Sequence, residues 1–352
     1  MALPTRPLGK TGMEITRVGF GSWAAGGAGW AFSWGPQDDE QSISAIRHAM
    51  EGGVNWVDTA AIYGLGHSEE VVAAAMEGIP LADRPYIFTK CGLVWDDSDR
   101  YKPALRMGAP DSIRAGAEAS LRRLKVDVLD LLQMHWPPDD GAGIEDYWGA
   151  MLELKEQGKV RAVGLSNHYV DRLEKAEAVG HVDTLQPPFS AIKRTTATEI
   201  DWCADHSTGV IVYSPMQAGL LTGAFTAERV AGLHKEDWRG RDPQFQGERL
   251  KANLALTEEL RPIAQERGIS LAAVAVAWAL SWPGVTGAIV GARSSQQVDG
   301  WLPAAETELT PAELERIAAA IEKTGAGDGP VTPTSATPTT ATPTTATPTT
   351  GS

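Results

Sequence analysis

Residues 54–66 read V-N-W-V-D-T-A-A-I-Y-G-L-G. The stretch opens as a short apolar strand, Val54-Asn55-Trp56-Val57, with Asp58 at its tip. Tyr63 follows five residues later, in a loop punctuated by Gly64 and Gly66. A carboxylate at the C-terminal end of a strand reads as catalytic if the strand belongs to a β/α barrel. A loop tyrosine held beside it is a candidate proton donor. Taken alone, Asp58 serves equally as a helix cap and Tyr63 as a packing residue, so the rest of the chain decides.

Upstream, Val18-Gly19-Phe20-Gly21 is a buried strand, followed by a Gly- and Trp-rich loop over 22–36 and a helix over 38–52. That helix is acidic at its start and ends at Gly52-Gly53. Downstream the alternation repeats. Strands 54–58, 86–90, 128–134, 160–166, 183–186 and 210–213 precede helices 68–78, 111–124, 145–157, 170–179, 197–206 and 250–267. Helix 270–281 leads into strand 287–290 and helix 294–301, and helix 311–323 is additional. Alternating strands and helices make a parallel sheet covered by helices. Eight such units without a composition break predict an α/β fold, a closed (β/α)8 TIM barrel in a single domain over 1–324. A doubly wound open sheet is the competing architecture. Residues 1–16, with a Gly9-Lys10-Thr11-Gly12 turn, predict a small cap or hairpin. Residues 325–352 repeat A-T-P-T-T with a five-residue period and hold almost no large apolar side chain. They are expected to be a disordered, dispensable tail.

The chain has 352 residues and a formal net charge of −14. Such an acidic surface disfavours non-specific binding to nucleic acid or anionic membrane, so an anionic cofactor needs a local basic pocket. Two cysteines, Cys91 and Cys203, give no metal spacing and are expected to be buried thiols. The N-terminus lacks an apolar secretion segment, and no apolar run reaches the roughly 18 residues of a membrane span. The expectation is a cytoplasmic protein; its oligomeric state stays open, and a monomer is compatible.

Gly19-Phe20-Gly21-Ser22-Trp23-Ala24 matches the Rossmann phosphate fingerprint G-x-G-x-x-A. That motif has to open a helix directly; here a Gly-rich loop follows, which argues against it. Lys90 ends the strand I-F-T-K and His135 ends L-L-Q-M-H, as Asp58 ends its own. A buried lysine needs a partner, and Asp58 is available. His135 alone is as readily a satisfied core histidine. Polar groups at successive strand tips converge on one mouth if the barrel closes.

Asp58, Tyr63, Lys90 and His135, in this order and context, resemble the catalytic tetrad of the aldo-keto reductases. The supporting stretches are N-W-V-D-T-A-A-I-Y-G, F-T-K-C-G, Q-M-H-W-P, V-G-L-S-N-H, Q-P-P-F-S, Y-S-P-M-Q-A-G-L-L-T-G and I-V-G-A-R-S, over about residues 7–323. The likeness points to the bacterial branch around general stress protein 69 and the potassium-channel β-subunit-like reductases. It implies a barrel that binds NADPH/NADP+ and reduces a small-molecule carbonyl substrate to an alcohol. Tyr63 is then the acid, Lys90 lowers its pKa, Asp58 holds Lys90, and His135 orients the carbonyl.

The same resemblance assigns Ser166, Asn167 and Gln186 to the nicotinamide carboxamide and Tyr213 to the ring. Ser214, Met216, Gln217, Gly219 and Leu220 are implied along the pyrophosphate, and Gly291, Arg293 and Gln297 around the adenosine end. Arg239 and Arg241 lie in a long loop that is placed to fold over the pyrophosphate. Arg293 is the expected source of a preference for the 2′-phosphate of NADPH. Trp301 stands where the family often has Asn, which leaves the adenine contacts open. Trp23, Trp30, Trp34, Trp95 and Trp136 fall in loops after strands, where they either wall a substrate pocket or pack on the barrel. The alternative function is a cofactor-binding regulatory module of the channel β-subunit type, with little turnover.

Overall fold

The computed structural model describes residues 3–333. The chain begins with an antiparallel hairpin, β1 (Thr5–Pro7) and β2 (Glu14–Thr16). Next come β3 (Val18–Gly21), β4 (Trp56–Asp58) and β5 (Tyr86–Cys91). A small antiparallel ribbon of β6 (Leu93–Val94) and β7 (Leu105–Arg106) interrupts the alternation. The series resumes with β8 (Leu129–Met134), β9 (Val160–Ser166), β10 (Thr184–Gln186), β11 (Gly209–Tyr213) and β12 (Gly287–Gly291). The eight strands β3, β4, β5, β8, β9, β10, β11 and β12 are parallel and close on themselves, β12 pairing with β3. The (β/α)8 expectation is met, and the open sheet is excluded by this closing pair.

The outer helices are α1 (Asp39–Glu51), α2 (His67–Ala75), α3 (Pro110–Leu124), α4 (Ile144–Glu156), α5 (Val170–Val179) and α6 (Ala197–His206). A short α7 (Ala227–Ala231) precedes α8 (Gly247–Arg267), α9 (Leu271–Leu280), α10 (Ser295–Trp301) and α11 (Pro311–Thr324). Helix starts follow the side chains available. Asp38 caps α1 by accepting from the Gln41 backbone N–H at 2.9 Å, and Thr310 with Glu313 forms a capping box on α11. No single helix among the described residues is long and apolar enough to cross a membrane.

Side chains alternate along each strand. Trp56, Phe88, Leu131, Ala162, Ile211 and Ile289 point inward and fill the barrel, with Leu8, Met13 and Ile15 of the hairpin closing its base. Val57, Ile87, Leu132 and Val163 point outward onto the helices. The glycines of the Rossmann-like run have a packing explanation. A Cβ on Gly19 would lie 2.2 Å from the Trp56 ring, and one on Gly21 would lie 2.7 Å from Ile289. Both positions face inward and stay small so that larger neighbours fit. Only a four-residue 3-10 turn, Trp23–Gly26, follows β3.

The packed chain runs past the expected boundary at 324. After α11, Ala326 is buried and the backbone of Asp328 pairs with that of Lys193 as an isolated β-bridge. The Arg194 guanidinium donates to the carbonyls of Ala326, Gly329 and Pro330. Residues 326–330 are therefore part of the barrel, because they supply the acceptors for a buried arginine. The rest of the expected tail, 334–352, lies outside the described residues.

Candidate active site

Stepping two residues from the apolar layer toward the C-terminal ends of the strands gives the next inward layer. Trp56 leads to Asp58, Phe88 to Lys90, Leu131 to Gln133, Ile211 to Tyr213 and Ile289 to Gly291. Ser166 and Gln186 sit side by side in the β9–β10 register, at the same end of the barrel. The period-2 rule thus gathers most of the expected polar residues at one mouth.

Lys90 is 1 % exposed, and its ammonium has three donors. It donates to Asp58 Oδ1 at 2.5 Å, to the Thr59 carbonyl at 2.8 Å and to the Tyr63 hydroxyl at 3.5 Å. Asp58 Oδ2 accepts from Gln186 Nε2 at 2.9 Å, and the buried Gln133 amide lies near the same carboxylate with no hydrogen-bond partner among the described residues. Burial pushes Asp58 up and Lys90 down from their ordinary values, so each depends on the other to stay charged.

Tyr63 is half-buried on the loop between β4 and α2. A hydroxyl network pins the loop: Ser68 Oγ is 2.8 Å from Ser22 Oγ and 3.0 Å from Thr59 Oγ1, and Ser22 donates to the Asp58 carbonyl. Gly64 has φ +65°, and a Cβ there would meet the Gly26 carbonyl at 2.3 Å. This close approach seats the loop on the turn after β3. The Tyr63 ring stands edge to face with His135 at 5.8 Å. The tetrad is therefore assembled in space.

One expectation about it is corrected. Burial, and then the Asp58 carboxylate, hold the Tyr63 phenol well above its ordinary value. Lys90, whose charge is matched by Asp58 at 2.5 Å and which reaches the phenol oxygen only at 3.5 Å, does not overcome that rise. Tyr63 is thus fully protonated near neutrality, which is the form a donor needs. His135 moves the other way: burial, Lys90 and Arg106 hold its imidazole well below the ordinary range. It is neutral near pH 7, with a ring N–H available to a carbonyl oxygen.

The groups expected around a nicotinamide form one network. Asn167, at φ +60°, donates from Nδ2 to the His135 carbonyl at 2.9 Å and to Ser166 Oγ at 3.1 Å. Its Oδ1 accepts from Tyr213 Oη at 2.8 Å, and Ser166 Oγ donates to the Gln186 carbonyl at 2.8 Å. Behind it, buried His168 donates from Nδ1 to the Ser166 carbonyl at 2.8 Å and accepts from Tyr147 at 3.0 Å.

After β11, Ser214, Gln217, Ala218 and Gly219 all have left-handed φ, between +46° and +101°. Non-glycine residues persist there only when their surroundings hold them, and such runs cluster at ligand clamps. Met216 is half-buried, and Gln217 Oε1 accepts from Ser190 at 3.1 Å. Leu220 leaves only its backbone to this loop. Its side chain is fully buried and its carbonyl accepts from Thr257, so it anchors the loop to α8 from within.

Arg239 is tucked under this loop, paired with Asp237 at 2.6 Å, donating to the Ala218 carbonyl and lying over Trp34 at 4.6 Å. Arg241 is exposed and donates to the Ala31 carbonyl at 3.0 Å. Arg293 is half-buried beside Gly291 at the tip of β12. Its Nε donates to Gln37 at 2.7 Å, its Nη2 to the Pro36 carbonyl, and its backbone N–H to Gln297 Oε1 at 2.8 Å. Both N–H groups of Nη1 and the second of Nη2 are left for a ligand. Burial and the neighbouring Arg239 both lower the Arg293 pKa. Two guanidiniums thus converge near the left-handed run in an acidic chain. That convergence, and the run of constrained backbone, fit a doubly anionic dinucleotide. Trp301 is buried at 1 % exposure and offers no side-chain amide there.

The tryptophans divide. Trp23 is sandwiched between Tyr63 at 5.9 Å and Trp238 at 5.3 Å, with Trp34 edge-on at 5.1 Å. Trp95 and Trp136 are half-buried at the rim, Trp136 beneath the Arg106 guanidinium at 4.8 Å. Trp30 is buried at 3 % exposure, and its indole donates to Gly27, so it fastens its loop rather than walling a pocket. Sequence reading passed over Gln133, Thr59, Ser68, Arg106 and Trp238. The alternation that selected Lys90 and His135 also selects Gln133, two residues before His135.

Comparisons with known proteins give the family and the fold. A sequence model described as the aldo/keto reductase family matches residues 17–322. The chain is 35 % identical over 294 residues to "Aldo-keto reductase YhdN" of Bacillus subtilis (strain 168), covering 83 % of this chain and 86 % of that protein. It is 32 % identical over 333 residues to "NADH-specific methylglyoxal reductase" of Escherichia coli (strain K12), covering 90 % and 99 %. The solved glycerol dehydrogenase AKR11B4 from Gluconobacter oxydans superposes with a TM-score of 0.83 at 34 % identity, covering 94 % of this chain and 98 % of its own.

Proposed function

This chain belongs to the aldo/keto reductase family, and from that premise we propose that it reduces small aldehydes and ketones with NADPH, Tyr63 giving the proton. The observation that carries the reading is the three-way donation from Lys90. With Asp58 and the Thr59 carbonyl taking two of its protons, the third is directed at the Tyr63 oxygen. That bond occupies a lone pair of the phenol and leaves its own O–H to point into the mouth. A reduced nicotinamide, when bound, supplies a hydride to the carbonyl carbon. Negative charge then develops on the carbonyl oxygen. The Tyr63 O–H and the neutral His135 N–H meet that oxygen, and the Tyr63 proton transfers to give the alcohol. Lys90 then stabilises the resulting phenolate. Ser166, Asn167 and Gln186 would hold the carboxamide, and the side chain of Tyr213 the ring. Trp23 shields one side of Tyr63 from water.

Tyr63→Phe tests this directly. Expected is a loss of turnover of about 100-fold or more, the scale of general acid catalysis, with NADPH binding by fluorescence titration retained. Near-normal turnover would overturn the assignment. Cofactor binding without multiple turnovers in the wild-type chain, across a panel of aldehydes, would favour the regulatory-module reading.

The preference for NADPH rests on Arg293, whose Nη1 and charge are available near Arg239. Arg293→Ala is expected to weaken NADPH binding by about 1.5–3 kcal/mol, the scale of a hydrogen bond to a charged group. NADH binding should change little. Equal losses for both cofactors would place Arg293 on a shared phosphate or on the fold.

A further inference from the structure

The ribbon of β6 and β7 was not legible in the sequence, and it brings a cation to the mouth. In its antiparallel register Leu93 stands opposite Arg106, so the two side chains share one face of the ribbon. Leu93 packs in the cluster that holds Tyr63, Trp23 and Trp95. The face that carries Arg106 is therefore the one turned toward the proton donor. The Arg106 guanidinium lies 4.8 Å from the ring centre of Trp136, the residue that follows His135. Its charge also reaches the His135 imidazole and helps to hold it neutral.

Among the described residues, nothing accepts from this guanidinium. Asp139, whose backbone N–H donates to the Arg106 carbonyl at 3.1 Å, makes no side-chain bond to the guanidinium, and the other acids of these loops are committed elsewhere. Asp140 accepts from the backbone of Gly108, Ala109 and Ala142. Asp96 serves Ser98 and Lys102, Asp97 serves Trp95, and Asp99 serves the Tyr101 backbone. Stacking on an indole face fixes the plane of an arginine and leaves its N–H edges outward, a fork that matches a carboxylate. The Asp58–Lys90 pair is neutral as a unit and attracts no anion. At long range the chain, at net −14, repels one.

We propose that Arg106 receives a carboxylate carried by the substrate, so that the site prefers carbonyl compounds bearing a carboxylate over neutral ones of the same shape. This rests on reading the site as a carbonyl reductase. The Tyr63 hydroxyl and His135 take the carbonyl oxygen while Arg106, at the rim, takes the acid.

The test compares 4-carboxybenzaldehyde with its neutral methyl ester by kcat/KM, at low and high NaCl. Arg106 is exposed, so in the wild-type chain the acid is favoured severalfold, up to about fivefold, the scale of an ion pair at an exposed site. The preference falls as salt rises. In Arg106→Gln the ratio drops toward unity through a higher KM for the acid, and Arg106→Lys restores part of it. A wild-type ratio near unity, or one that Arg106→Gln leaves unchanged, overturns the proposal. So does an equal loss on both aldehydes, which would mark Arg106 as structural. If the wild-type chain turns over neither aldehyde, the reductase reading falls first and this inference with it.

Discussion

Lys90 spends all three of its protons inside the barrel, and two of their acceptors belong to residues next to one another, Asp58 and Thr59. Removing the ammonium therefore does two separable things. Tyr63 loses the group that stabilises its phenolate, and Asp58 is left buried at 2 % exposure with only the Gln186 amide as partner. Breaking a buried ion pair from one side typically costs about 3–5 kcal/mol. Lys90→Met is expected to lose most turnover and about that much stability, read from urea unfolding and NADPH oxidation. Adding Asp58→Asn removes the stranded charge, so the double variant should regain part of the stability and none of the turnover. If Lys90→Met unfolds like wild type, the pair is not the anchor described here. The residues of this unit were legible because each ends a strand. Gln133 obeys the same alternation but is not ionisable, so its residue type does not mark it as a site residue. The raised pKa of Tyr63 was illegible because it depends on how closely Asp58 cancels Lys90, which is a distance and not a pattern.

Elements were read well wherever hydrophobic periodicity decides them. The strands over Val18–Gly21 and Val160–Ser166 and the helices over Val170–Val179 and Ala197–His206 agree residue for residue with expectation. The β6–β7 ribbon was missed because each strand has two residues and the sequence between them is charged. The C-terminal boundary was misplaced because 325–333 looks like its Gly- and Pro-rich continuation. What orders it is Arg194, some 130 residues upstream. Deleting 325–352 strips that buried guanidinium of the Ala326, Gly329 and Pro330 carbonyls and exposes the surface under Ala326. Each unmet donor costs about 1–3 kcal/mol. The truncated chain should therefore melt well below wild type. A chain ending at Pro333 retains every one of these bonds and should match the full chain. Equal melting temperatures for both truncations would show that the segment adds nothing.

At the scale of the whole molecule, stability should respond to acid in two windows with different owners. His168 lies behind the carboxamide turn at 2 % exposure, and burial pushes it down to about 4 from an ordinary 6.5. Its Nε2 accepts from Tyr147 at 3.0 Å, so protonation removes that acceptor as well as placing a charge in the core. Between those two values the unfolded chain binds the proton and the folded chain does not. Stability therefore rises with pH across this range. The contribution is complete above about 6.5 and is lost as pH falls toward 4. The shift is worth roughly 2 kcal/mol at pH 5, from 1.36 kcal/mol per unit. His135 is displaced in the same direction and adds to the effect. Glu313 owns the lower window. Held by Arg267 through bonds of 2.5 and 2.6 Å, its carboxyl sits at about 2 against an ordinary 4.5. As a depressed acid it contributes fully above 4.5 and is lost only as pH falls toward 2, so it is silent between pH 7.5 and 5. Urea unfolding at those two pH values should thus show a fall that belongs to the histidines. In His168→Gln the fall should shrink by about 2 kcal/mol, while Glu313→Gln should lower both values by a similar amount and leave the difference intact. An undiminished fall in His168→Gln would mean that the acid sensitivity of this barrel arises elsewhere.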